Sequence, residues 1–157
     1  MSLIYIAGFR AISLTANGSS SQDIWELVNG TGQSLELHHL HLESQYNVDE
    51  RIDLQLLERS ATGSGGSAAI TPNAVDQLNT RASGITSFKT LVTTPGAAVA
   101  NGGMEPFQWS ELAPLDLLWT PEDRPSVAPG GRIVLSNLNT FVAATRTVSG
   151  WLKWSER

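Results

Sequence analysis

The chain has 157 residues, of which 41% are apolar and only 16% charged, and its 10 Lys and Arg against 15 Asp and Glu leave a net charge of −5. That length suits one domain and is short for two, and scattered basic residues in an acidic chain exclude a grip on nucleic-acid phosphates. The absence of cysteine excludes a disulfide scaffold, a zinc ribbon and a thiol nucleophile.

The charged fraction lies below the ~25% usual in soluble domains. Ser, Thr, Asn, Gln and Gly take its place, which predicts a polar, weakly ionic surface. The opening run from Leu3 to Phe9 is apolar but short, follows no basic residue and stops at Arg10. It therefore predicts neither an export signal nor a membrane span. The first strand is expected over 3–15, with Gly8 as a point where it would break in two, and Asn17-Gly18 as the turn that follows. A second strand over 22–29 ends at Asn29-Gly30.

Over 33–44 the apolar residues alternate, but Leu35 and Leu37 share a parity that Leu40 and Leu42 break. A one-residue slip would turn the later leucines to the opposite face. A β-bulge at His38-His39 absorbs the extra residue and keeps all four inward. Ile52, Leu54 and Leu56 alternate over 50–60. Residues 60–73, containing Gly63-Ser64-Gly65-Gly66-Ser67, and residues 94–106, containing Pro95-Gly96 and Asn101-Gly102-Gly103, have little to bury. They read as long flexible arms, since structureless loops of this length are uncommon in compact domains unless functional or poorly ordered. Pro72 suits a first helical position, so 72–81 allows a helical turn.

Further strands are expected over 84–94, 104–110, 115–120, 131–138 and 146–155, with Gly130-Gly131 as a turn. Period-2 spacing with Gly and Asn at the reversals and no long helical stripe predict one all-β domain over 1–157. The architecture expected is an antiparallel, jelly-roll-like β-sandwich with long Gly/Ser-rich loops.

Candidate chemistry is sparse. His39 and His41 are two apart, so a strand would put them on one face. A catalytic zinc needs at least three protein ligands and a structural one four. With no cysteine, and with Glu36 and Glu43 of uncertain face once a bulge intervenes, His38, His39 and His41 read as strand-edge histidines, and no metal or cofactor is expected. Asp49, Glu50 and Asp53 among Arg51 and Arg59, and Glu122-Asp123-Arg124, read as cross-strand charge pairs on solvated faces. Gly63-Ser64-Gly65 lacks the strand–turn–helix setting of a nucleophile elbow, and no phosphate-binding glycine motif is present. No catalytic residue is assigned and no enzymatic activity is expected.

Five tryptophans remain: Trp25, Trp109, Trp119, Trp151 and Trp154. Trp151 and Trp154 differ in parity, so one strand can bury only one of them in a given core. The other faces solvent, a bulge or a neighbouring chain; a sugar-stacking role is the alternative. The interface candidates are Trp151 and Trp109 together with Gly63, Ser64, Gly65 and Gly66 of the first arm.

Five segments recur in a familiar order: Gln22-Asp23-Ile24-Trp25-Glu26-Leu27; the Leu35-Glu36-Leu37 strand; Leu54-Gln55-Leu56-Leu57-Glu58-Arg59 running into Gly63-Ser64-Gly65-Gly66-Ser67; Leu118-Trp119-Thr120-Pro121-Glu122-Asp123-Arg124-Pro125 before Gly130-Gly131; and Val148-Ser149-Gly150-Trp151-Leu152. Taken over nearly the whole chain, the succession resembles the head-decoration (capsid cement) proteins of tailed bacteriophages. The resemblance implies a non-enzymatic virion protein, assembled in the bacterial cytoplasm. It would sit on the capsid surface as a homotrimer and clamp the major capsid protein, with no nucleic-acid or membrane partner. It transfers no catalytic or interface residue. A carbohydrate- or receptor-binding module of a phage tail, or another head or tail component, is the alternative.

Overall fold

The computed structural model describes residues 3–14, 22–45, 50–76, 78, 80–104, 106–138 and 146–157, with the backbone alone at Asn101. In chain order the strands are β1 (Leu3–Leu14), β2 (Gln22–Val28), β3 (Leu35–Ser44), β4 (Arg51–Arg59), β5 (Asn73–Ala74) and β6 (Ser87–Val92), then β7 (Ala98–Gly103), β8 (Phe107–Ser110), β9 (Leu115–Leu118), β10 (Ser126–Val127), β11 (Arg132–Asn137) and β12 (Arg146–Glu156). No helix occurs among the described residues.

Two six-stranded antiparallel sheets pack face to face. The first runs β10-β3-β12-β1-β5, with β9 also on β3; the second runs β6-β2-β11-β4-β7, with β8 also on β4. Successive principal strands alternate between the sheets, and the last strand returns to lie between β1 and β3. This is the jelly-roll wrapping of two Greek keys.

Alternation along the strands builds the core. Leu35, Leu37, Leu40 and Leu42 of β3 are all fully buried, as are Ile52 and Leu54 of β4 and Leu152 and Trp154 of β12. The bulge falls where the parity break requires it. Lys153 pairs with His39 and Trp154 with Leu37, so His38 is the extra residue. Fully burying one leucine contributes roughly 1.5–3 kcal/mol, which sets the stake in keeping all four inward. Strand β1 uses the same device. Tyr5, Ala7 and Phe9 face inward on odd positions and Ile12 and Leu14 on even ones, and the register shifts between Phe9 and Ile12. Ala11 takes the left-handed φ of 51° there, and its N–H donates to Ser149 Oγ at 3.0 Å. The strand is therefore continuous through Gly8 and is accommodated at Arg10-Ala11, not broken at Gly8.

A chain of rings ties the sheets together. Tyr5 stacks on Trp154, Trp154 on Phe88 and Phe88 on Trp25, with centroids 6.3, 6.3 and 6.0 Å apart. Two rings come from the first sheet and two from the second.

The long connection from β4 to β5 departs from the loop expected. It crosses the outer face of the second sheet, runs beside β6, where Ser64 bridges Thr94 and the Ser67 and Ile70 amides donate to the Thr90 and Phe88 carbonyls, and then adds β5 to the edge of β1. Residues 94–106 contribute β7 to the edge of β4. The expected helical turn over 72–81 begins instead as β5, and residues 77 and 79 lie outside the described set.

Candidate binding surfaces

The two outer faces of the sandwich differ. On the second sheet, Asp23 and Glu26 of β2 and Arg59 of β4 are all buried, although alternation turns Glu26 and Arg59 away from the interior and the register shift between Asp23 and Trp25 turns Asp23 the same way. The connection from β4 covers them like a strap. Thr62 Oγ1 accepts a bond from Arg132 Nε at 2.8 Å, Gly63 N–H donates to Glu26 Oε2 at 2.8 Å, and Ser60 N–H donates to the Ala97 carbonyl of the returning segment at 2.8 Å. Close approach requires glycine. A Cβ on Gly63 would lie 2.3 Å from Val92 Cγ1, and one on Gly96 would lie 1.8 Å from the Ala61 carbonyl oxygen. Gly65 and Gly66 adopt φ of 74° and 92°, a region other residues enter only at a cost.

Beneath the strap Arg59 Nη2 donates to Asp23 Oδ1 at 2.8 Å. Arg59 is thus not on the solvated face where charge alternation with Arg51 and Asp53 had placed it. At the end of the sandwich, fully buried Arg146 pairs with Glu111 and Glu50, and Ser44 Oγ donates to Glu111 Oε1 at 3.1 Å. Burial raises the Glu111 carboxyl above its usual range, against the pull of Arg146. Such networks cost desolvation and are strongly destabilised when one partner is removed; their chemistry is internal. Asp49 lies outside the described residues, and Glu122 and Asp123 are exposed, with Asp123 accepting from Thr120 Oγ1 at 2.8 Å.

The outer face of the first sheet carries the histidines. His39 and His41 share that face, as their spacing requires, and Nε2 of one and Nδ1 of the other lie 3.0 and 2.9 Å from Asp116 Oδ1 on β9. Those two contacts hold the Asp116 carboxyl below its usual range. Among the described residues no three His, Asp or Glu side chains are arranged to hold a metal ion. His38 Nε2 lies 2.8 Å from Ser155 Oγ, and burial lowers the His38 imidazole from its ordinary value. Ser155 is buried, 2% exposed, inside the β12–β3 ladder.

Trp151 stands half-exposed between these groups. Its ring stacks on His41 at 5.4 Å and 12°, meets His39 edge-on at 4.5 Å, and has Lys153 Nζ 5.4 Å from its centroid. Trp154, of opposite parity, is fully buried. Trp109 is also interior, 2% exposed, with Nε1 donating to the Ala113 carbonyl at 2.7 Å; its indole has no outward face to offer. Of the interface candidates, Trp151, Ser64, Gly65 and Gly66 lie at the surface, while Gly63 is buried under Val92.

Asp116 was missed because a lone acid on a short strand carries no periodic signal. Two of the surface hollows bear on these residues. One, of about 490 Å³, lies on the first sheet beside Trp151 and is lined in part by Gly8, Arg10, Glu43 and Asn73. The other, of about 570 Å³, lies between the sheets at the β7–β10 edge, lined by Leu56, Met104, Phe107, Leu117 and Trp119 among others. No family model, no curated protein and no solved structure matches this chain.

Proposed function

We propose that this chain is a non-enzymatic decoration protein of a tailed-phage capsid, which binds the assembled shell of major capsid protein and braces it as a homotrimer. The ordered motif series is the origin of the reading. The observation that supports it best is a jelly-roll slab whose buried charges are taken up in ion pairs, Asp23 with Arg59 and Arg146 with Glu111. Such a body suits adhesion, and a trimer engaging several shell sites at once gains avidity from modest single contacts. An obligate trimer interface would bury about 2,000 Å² or more.

Co-sedimentation tests the reading. Purified protein added to shells that lack it is expected to pellet with them and to saturate at a fixed ratio. Protein that stays in the supernatant at every concentration rejects it. Light scattering of the free protein is expected to give three times the 16.9 kDa chain mass; a monomer on the shell as well as in solution would reject the trimer.

A further inference from the structure

We infer that the hollow beside Trp151 is a subsite for an uncharged pyranose sugar. This inference does not depend on the capsid reading.

Three features carry it. The first is the platform. Trp151 is the half-exposed indole of the first sheet, and its ring is already oriented by His41, His39 and Lys153, so little side-chain freedom remains to be lost on binding. The apolar faces of sugar rings stack on such aromatic planes.

The second is Gly8, which pairs with Trp151 across the β1–β12 ladder. Nothing in the backbone demands glycine here. Its φ is not among the positive values, and a Cβ would meet only Gly150 O at 3.6 Å and Trp151 Cβ at 3.7 Å, ordinary contacts. Glycine inside a strand weakens it and often marks a place where a ligand approaches closely. Its effect at this position is to leave open floor alongside the indole.

The third is the rim. Arg10, Glu43 and Asn73, all exposed, surround that floor. Guanidinium, carboxylate and amide are planar groups that present paired donors, paired acceptors and one of each, which matches vicinal hydroxyls. The positive and negative rim charges offset each other, favouring a neutral sugar over an acidic one. The volume of about 490 Å³ falls within the range of small-molecule sites.

Saturation-transfer NMR on the intact protein tests the inference, with glucose, galactose, mannose, N-acetylglucosamine, lactose and cellobiose as probes. At least one is expected to bind at millimolar concentration. Trp151→Ala and Gly8→Val should each weaken that binding roughly ten-fold or more, while Trp119→Ala, at the opposite edge, leaves it unchanged. Gly8→Val adds a β-branched residue to a strand and should keep the fold, as circular dichroism would show, so a loss there reports the filled floor. The inference is overturned if no probe binds the wild type, or if binding survives both substitutions. Loss of shell co-sedimentation in Trp151→Ala, with no sugar bound by the wild type, would assign the same face to a protein contact instead.

Discussion

Glu26 is a carboxylate on the outward side of a strand that the chain itself later covers. Its Oε2 accepts the Gly63 amide, while Oε1 finds no hydrogen-bond partner among the described residues. Burial raises its pKa, and the Gly63 bond and the charges of Lys89 and Arg132 only partly oppose the shift. The folded chain therefore holds this proton more tightly than the unfolded one. Stability from this group is greatest at low pH and is lost as pH rises from the unfolded carboxylate pKa through the raised folded value. Glu26→Gln keeps an acceptor for Gly63 and deletes the charge. Its melting midpoint is expected to exceed that of the wild type at about pH 8 and to converge with it near about pH 4. Melts across that range decide the matter, and a variant less stable at every pH would show that the charge itself is stabilising. None of this was legible in Gln22-Asp23-Ile24-Trp25-Glu26-Leu27. Alternation tells which way a side chain points, but not what crosses that face 37 residues later. Arg59 was misplaced for the same reason, whereas the opposite facing of Trp151 and Trp154 followed from parity alone.

Among the elements, legibility tracked how much apolar surface each one buries. Strands β3, β4, β11 and β12 were readable because a buried face enforces period 2, and the β3 bulge was readable because four leucines disagree about parity. The same signal in Tyr5, Ala7, Phe9, Ile12 and Leu14 marks the β1 bulge, while Gly8 offers a competing break point in the sequence. Strands β5, β7 and β10 escaped notice. They are short or glycine-rich and are held by backbone bonds to edges the sequence does not reveal. The strap is the strongest case, since its glycines suggest freedom when read in sequence, while in the fold they permit contact. Gly63→Val places side-chain carbon against Val92 and is expected to cost about 1–3 kcal/mol, as overpacking does. Ser64→Val at the exposed neighbour should stay within about 0.5 kcal/mol. Urea titrations of both variants measure this. Limited proteolysis should show faster cutting within 60–73 in Gly63→Val alone; equal behaviour of the two variants would mean that the strap adds nothing to the fold.

At the scale of the whole molecule, the jelly roll places the two ends of the described chain side by side. Leu3 pairs with Glu156, and the pairing continues to Leu14 with Arg146. The centre of the first sheet is therefore β12, held between β1 and β3, and the ring stack through Trp154 joins it to Phe88 and Trp25 of the second sheet. No half of the chain can complete either sheet alone, because β11 sits between β2 and β4 in the other. Loop closure over most of the chain must be met before these contacts offset it. Folding is accordingly expected to be cooperative and slow, on the order of milliseconds to seconds, as for other sandwiches dominated by non-local pairing. Tryptophan fluorescence reports Trp25, Trp109 and Trp154 in the core, and far-ultraviolet dichroism reports the strands. Their denaturant transitions should coincide, and stopped-flow refolding should give one main phase in that range. Separate transitions, or refolding within microseconds, would mean that one sheet forms without the other. That result would remove the physical reason for regarding the slab as a single rigid body, on which its proposed work as a brace depends.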